Sequence, residues 1–277
     1  MLAAVNAWTF PKLATAEEQI RAAAAAGFAG IELTVGAQEP LRPDTPPSAF
    51  RELARCAAAA GIQITGVATG LFWEYNYAAP DPAGRERARE LTLRLLDDAA
   101  AAGAGAVLVV PAVVGCWSEP RPQVSYADAL HRTLEALDEL RFEAEARAIT
   151  LAVENVWNRF LLSPVEAADL IDRVNSPYVG FYLDTGNTLA FGYPEDWIRT
   201  LGGRIVRVHA KDYDLRRPGA DGFCPLGEGS VDWAAVMQAL AEVGYDGPLT
   251  YEGGADPAEM CRRLNNILAG RPARAAR

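Results

Sequence analysis

The sequence predicts an α/β protein, a single closed (β/α)8 barrel, and three observations carry that prediction. Across 277 residues, short apolar runs alternate eight times with longer helical segments, the pattern of parallel strands joined by right-handed crossovers. Helical segments end in Ala-Gly or Val-Gly directly before the next strand, as at Gly27 and Gly61. No glycine-rich GxGxxG follows the first strand, which counts against an open dinucleotide-binding sheet. No Pro/Ser/Gly linker splits the chain. Residues 1–270 therefore read as one barrel domain, and 271–277 as a frayed tail.

Taken in order, Leu2–Trp8 reads as the first strand, closed by Thr9-Phe10-Pro11. Thr15–Ala26 reads as a helix, because Thr15 with Glu18 three residues on is a capping-box pattern, and Gly27 stops it. The second strand is Gly30–Leu33, ending near Glu32, and a proline-rich loop leads to the helix Ser48–Ala60. Ile62–Ala68 is the third strand, followed by an aromatic loop, Leu71–Tyr77. Pro82–Ala102 is helical and Ala106–Val110 is the fourth strand, with Trp117 in the loop beyond. Ser125–Arg147 is a long charged helix, and Ile149–Glu154 is the fifth strand. Ser163-Pro164 places a cap and a first-turn proline in favoured positions for the next helix. Val179–Asp184, Arg204–Ala210 and Leu249–Glu252 are the last three strands. Pro194–Leu201, Val231–Val243 and Pro257–Leu268 are helices, and Lys211–Ser230 is a long loop.

Composition narrows the function classes. Half the residues are hydrophobic and 22% are charged, enough for a large core and against disorder. A net charge of −10 argues against a nucleic-acid surface, which needs a basic stripe. No apolar run approaches the ~20 residues that span a bilayer, so no membrane partner is expected. The start lacks a basic leader, and Cys56, Cys116, Cys224 and Cys261 form no CxxC pair. A cytoplasmic protein with reduced thiols is the expectation.

The chemistry is read at strand ends. Ile149–Val153 runs straight into Glu154, and later runs end on Asp184, His209 and Glu252. A barrel keeps its ligands at the C-terminal mouths of its strands, so four such ends in consecutive strands converge on one rim. Three carboxylates and an imidazole are a mostly hard donor set, suited to six-coordinate Mn²⁺, with Mg²⁺ or Co²⁺ as alternatives; zinc prefers more nitrogen or sulfur. A metal also explains how three like charges share a site. A divalent ion with two free positions can chelate the carbonyl and adjacent hydroxyl of a sugar and stabilise the enediolate left by proton removal. Glu154 and Glu252 can approach opposite faces of that substrate, one removing a proton and the other returning it, which inverts a carbon centre.

The combination AVENVWN, YLDTGN, VHAKD, PLGEGSVDW and YEGG, in order along the chain, resembles the xylose isomerase-like TIM barrel superfamily. Within it the sequence is similar to the sugar and sugar-phosphate isomerases and epimerases, especially the ketose and ketose-phosphate 3-epimerases. The resemblance implies that Glu154, Asp184, His209 and Glu252 bind the metal and that the two glutamates are the acid/base pair. It further implies a small sugar or sugar-phosphate substrate and a homo-oligomer. The free-ketose enzymes carry a histidine where this chain has Asn187, and an arginine where it has Leu215, followed by Arg216 and Arg217. The His-x-Lys-Asp and Gly-Glu-Gly-x-Val-Asp patterns look more like the ketose-phosphate enzymes.

Further substrate-binding candidates are Asn187, Lys211, Arg216, Glu228, Trp8, Trp117 and Phe72. Lys211 can neutralise a developing oxyanion or meet a phosphate, or it can pair with Asp212 at the rim. Arg216 and Arg217 lie in a loop able to close over a ligand, although exposed loop arginines are common. Glu228 lies between Gly227 and Gly229 and can reach the pocket or serve only a turn. The aromatic residues Trp8, Phe72, Trp73, Trp117 and Trp157 can wall a sugar or pack. Glu32 is placed to bind a hydroxyl, and His131 reads as a solvated helix face. The same metal site also serves an aldose–ketose isomerase or a keto-polyol dehydratase. A DNA-repair nuclease of the superfamily needs more histidines than the two present, and a non-catalytic sugar-binding barrel is disfavoured by the intact ligand set.

Overall fold

A computed structural model describes residues 1–116 and 119–274; Trp117, one of the substrate-binding candidates, and the end of the tail, 275–277, lie outside the described residues. Eight parallel strands close the barrel: β1 (Leu2–Asn6), β2 (Gly30–Val35), β3 (Gln63–Thr69), β4 (Ala106–Val109), β5 (Thr150–Glu154), β6 (Val179–Asp184), β7 (Ile205–Ala210) and β8 (Pro248–Tyr251). Each pairs with its sequence neighbours, and β1 pairs with β8 from Leu2↔Pro248 to Val5↔Tyr251. The outer layer is α1 (Ala16–Ala26), α2 (Pro47–Ala59), α3 (Pro82–Ala102), α4 (Tyr126–Arg147), α5 (Pro164–Val174), α6 (Pro194–Leu201), α7 (Trp233–Glu242) and α8 (Pro257–Leu268). The expected single barrel is the fold. Among the described residues no helix is long and apolar enough to cross a membrane.

Local chemistry sets most boundaries. The Thr15 side chain accepts from Glu18 N–H while the Glu18 carboxylate accepts from Thr15 N–H, the predicted capping box, and such caps are worth about 1 kcal/mol each. Ser125 and Ser163 cap α4 and α5 by accepting from Asp128 N–H and Glu166 N–H, without the reciprocal bond. β1 is shorter than the sequence predicts because the Asn6 side chain accepts from Trp8 N–H and turns Ala7–Thr9 into a 3-10 helix. β5 begins at Thr150, since Ala148 takes a left-handed conformation (φ 54°) to end α4.

Register aligns the strand ends that matter. Asp184 lies opposite His209, and Thr250 lies opposite His209 from the other side. Glu154 pairs with Tyr182, one residue-pair deeper on β6. Glu252 falls just past β8, with its N–H 3.4 Å from Ala210 O. In a parallel barrel this stagger puts all four side chains at the C-terminal mouth.

Residues 211–230 are more ordered than a loop. Asp212–Tyr213 pairs antiparallel with Phe223–Cys224, and Gly219–Gly222 forms a 3-10 turn between them. Asp212 organises the return: its buried carboxylate accepts from Gly227 N–H (2.7 Å), Val231 N–H (3.2 Å) and Trp233 Nε1–H (3.1 Å). A Cβ at Gly229 would collide with that carboxylate. The HAKD and GEGSVDW motifs are thus two halves of one latch, and Asp212 does not pair with Lys211 across the rim. Of the tail, Ala273 is buried. Leaving two buried donors and one part-buried donor unpaired costs on the order of 2–3 kcal/mol, so Asp212→Ala should lower stability by that amount in urea denaturation and expose 214–230 to protease. A loss under about 0.5 kcal/mol, the level of an ordinary surface change, would rule the latch out.

Candidate metal centre

Glu154 ends β5, Asp184 ends β6, His209 is the penultimate residue of β7, and Glu252 follows β8. One ligand atom from each lies within 4.8 Å of the others. His209 Nδ1 is 2.8 Å from Glu154 Oε1 and 3.0 Å from Glu252 Oε2. Lys211 Nζ sits 3.1 Å from Asp184 Oδ2 and 3.0 Å from Glu252 Oε2.

Neighbouring motif residues hold Asp184 in place. Its Oδ1 accepts from Asn187 N–H at 2.7 Å, because Asp184 caps the single helical turn Thr185–Thr188. Its backbone N–H donates to Asn155 Oδ1, and Asn155 Nδ2 donates to Asp184 O and Thr188 Oγ1. Oδ2 is left buried without a hydrogen bond, in ion-pair contact with the Lys211 ammonium. Lys211 passes closely over Gly186, where a Cβ would stand 3.0 Å from its Cγ. Asn155 of AVENVWN and Asn187 of YLDTGN are therefore braces for Asp184.

Electrostatics reflects the crowding. Burial pushes the Glu154 carboxyl up to about 7 against the pull of His209, with Glu252 and Asp184 adding to the rise. Burial also raises Asp184, although Lys211 opposes it. For Glu252 burial is outweighed by Lys211 and His209, which hold it well below the usual carboxylate range. Burial alone would lower His209 and Lys211; the surrounding carboxylates reverse this and raise both. A bound cation would supply counter-charge to this cluster. Clustered hard donors and the orphaned Asp184 Oδ2 fit a divalent ion of the Mn²⁺ or Mg²⁺ type.

Glu154 and Glu252 open into a cavity of about 360 Å³, whose wall includes Trp8, Val110, Trp157, Asn187, Lys211 and Phe223. Asp184 and His209 lie fully buried behind it. Trp157 stacks on Phe223 (4.9 Å) and donates from Nε1 to Asn187 O. Trp8 donates from Nε1 to Glu39. Of the sequence candidates, Trp8, Asn187 and Lys211 reach the cavity, as do Trp73 and Trp157.

Three candidates are not brought there, each for a physical reason. Phe72 is fully buried and packs edge-on against Tyr77. Arg216 is exposed and bound to Asp214 Oδ1 at 2.8 Å. Glu228 turns to Arg263 (3.0 Å) and Arg274 (3.5 Å). Glu32, expected to meet a hydroxyl, lies beneath the site and accepts from Asn6, Tyr182 and His209. Asn6 and Tyr182 were not singled out in the sequence; Tyr182 is findable as the residue two before Asp184, which shares its face of the strand.

If the cluster is a metal site, adding Mn²⁺ or Mg²⁺ to metal-stripped protein should raise the thermal midpoint by several degrees. The gain is about 2.7 kcal/mol at a hundredfold excess over the dissociation constant. Asp184→Asn should abolish that shift. An unchanged midpoint in the wild type with both ions would reject the site.

Comparison with known proteins agrees with this architecture. The chain is 25% identical over 246 residues to the L-ribulose-5-phosphate 3-epimerase UlaE of Salmonella typhimurium, covering 87% of this chain and 83% of that protein. It is 28% identical over 181 residues to the uncharacterized protein MJ1311 of Methanocaldococcus jannaschii, 60% of this chain but only 58% of that one. Among solved structures, a D-tagatose 3-epimerase-like protein superposes with a TM-score of 0.81 at 21% identity, over 97% of both chains. The D-psicose 3-epimerase of Clostridium cellulolyticum H10 gives 0.76 at 22%, over 99% of this chain and 91% of that one; at such identities the likeness is one of fold. Residues 20–270 match the family described as xylose isomerase-like TIM barrel, and the chain belongs to that family.

Proposed function

We propose that the protein is an isomerase, a divalent-metal-dependent 3-epimerase of ketoses or ketose phosphates. One observation carries the reading: Glu154 and Glu252 open into the same small cavity while both lie within 3.0 Å of one imidazole nitrogen, His209 Nδ1. Similarity to a ribulose-phosphate 3-epimerase along most of the chain supports the same class.

Glu154, Asp184, His209 and Glu252 would hold the ion, Mn²⁺ by first preference with Mg²⁺ or Co²⁺ as alternatives. When bound, it supplies Lewis acidity at the substrate carbonyl and so eases loss of the proton on the adjacent carbon. The residues do the rest. In one direction Glu252 takes the C3 proton and Glu154 delivers one to the opposite face; in the other the roles exchange. No atom is gained or lost, and C3 is inverted. Lys211 fixes the Glu252 carboxylate through its 3.0 Å contact. Trp8, Trp157 and Phe223 offer apolar walls to sugar C–H faces and exclude water. With its Nδ2 committed to Asn155 O, Asn187 presents its side-chain oxygen to a hydroxyl. A cytoplasmic setting and a homo-oligomeric state belong to the same reading.

The test is proton exchange in D₂O with Mn²⁺-reconstituted protein and a panel of ketoses and pentulose phosphates, read by NMR after the metal is removed. Metal-dependent deuterium at C3 with a new epimer is the expected result. Glu154→Gln and Glu252→Gln should each cut the rate by roughly 10²–10⁴-fold. Deuterium at C1 or C2 with an aldose product would make the enzyme an aldose–ketose isomerase. No exchange with metal bound would remove the epimerase reading in favour of dehydration or binding alone.

A further inference from the structure

Beneath the four-residue cluster lies a fifth carboxylate, on the far side of His209. Glu32 on β2 is 1% exposed, and among the described residues its ion pair is with His209 and not with a Lys or Arg. Its Oε2 accepts from Asn6 Nδ2 at 2.7 Å and is 2.8 Å from His209 Nε2; its Oε1 accepts from Tyr182 OH at 3.0 Å. The three donors come from β1, β7 and β6, so the carboxylate reaches across the barrel interior. The fold makes room for it. The β2–β3 pairing shifts register between Ile31 and Glu32, and such irregularities re-aim side chains. Its pairing neighbour there is Gly66, where a Cβ would stand 2.9 Å from Glu32 Oε1.

A carboxylate flanked by the amide donor of Asn6 and the hydroxyl of Tyr182 acts only as an acceptor. His209 Nε2 must then carry a proton toward Glu32, so that Nδ1, the nitrogen between Glu154 and Glu252, is the one whose proton a metal would displace. We infer that Glu32 is the positioning residue of the metal centre: it fixes the ring plane and tautomer of His209 so that Nδ1 is the ligand atom. Partners of this kind orient a ligating imidazole and raise its basicity, and their loss typically costs 10–100-fold in metal affinity. The inference rests on the metal reading above but concerns a residue outside the ligand set. Tyr182 and Asn6 hold Glu32 in turn, and the Tyr182 ring lies 4.2 Å from the imidazole, centroid to centroid.

The test measures Mn²⁺ affinity of metal-stripped protein by calorimetry. Glu32→Gln, at best a neutral acceptor, and Glu32→Ala, no acceptor, should weaken binding progressively within a range of about 10- to 100-fold. A second readout needs no variant. The chain has two histidines, and His131 stands on an exposed helix face, so ¹⁵N spectra of the Mg²⁺-loaded wild type resolve the His209 ring. Protonated Nε2 and unprotonated Nδ1 are expected; a proton on Nδ1 would overturn the assignment. Wild-type affinity retained in both Glu32 variants would overturn it too, leaving Glu32 a packing residue and the metal reading intact. Absence of Mn²⁺ binding by the wild type would instead bring down the metal reading, and this inference with it.

Discussion

Four carboxylates around one imidazole, three of them buried and Glu252 partly so, are the constraint to which the rest of this structure answers. Glu32, Glu154, Asp184 and Glu252 surround His209 and Lys211 at the barrel mouth. Removing charges from water is costly unless each is paired and hydrogen-bonded, and two cationic side chains do not offset four carboxylates. The imbalance appears as the raised Glu154 and Asp184 carboxyls and as the unbonded Asp184 Oδ2. A divalent cation held by the cluster would resolve it in one step. Seen this way, Lys211 shares the counter-ion role and is not simply a group waiting for substrate.

The supporting structure is arranged to keep that cluster rigid. Asn155 and Asn187 occupy the backbone and one oxygen of Asp184, while Thr185 Oγ1 lies 2.7 Å from Lys211 O and accepts from Lys211 N–H. The latch built on Asp212 carries Phe223 back over the pocket, where it stacks on Trp157 and lies beneath the Lys211 ammonium (5.2 Å). Strand ends thus supply the chemistry, and the loops that follow supply its orientation.

Much of this is legible in the sequence. Apolar runs ending on Glu154, Asp184, His209 and Glu252 marked the rim because parallel strands are buried on both faces and expose only their ends. Cap and stop residues placed α3 and α8 to the residue. What stayed hidden depends on side chains far apart in sequence. Nothing local shows that Arg216 folds back onto Asp214, that Glu228 meets Arg263, or that Phe72 turns into the core. The 211–230 hairpin was missed because its order comes from one buried carboxylate, not from a run of β-prone residues. Glu32 is legible as a carboxylate near the end of its strand, but the register shift in β2 that aims it under His209 has no simple sequence signature.

The most direct measurement is anomalous diffraction at the manganese edge from crystals grown with Mn²⁺. A single strong peak contacted by Glu154, Asp184, His209 Nδ1 and Glu252, with Glu32 beyond reach on the Nε2 side, is the predicted result. A peak coordinated by His209 Nε2 or by Glu32, or no peak at the barrel mouth, would contradict the assignment of this cluster as the metal centre.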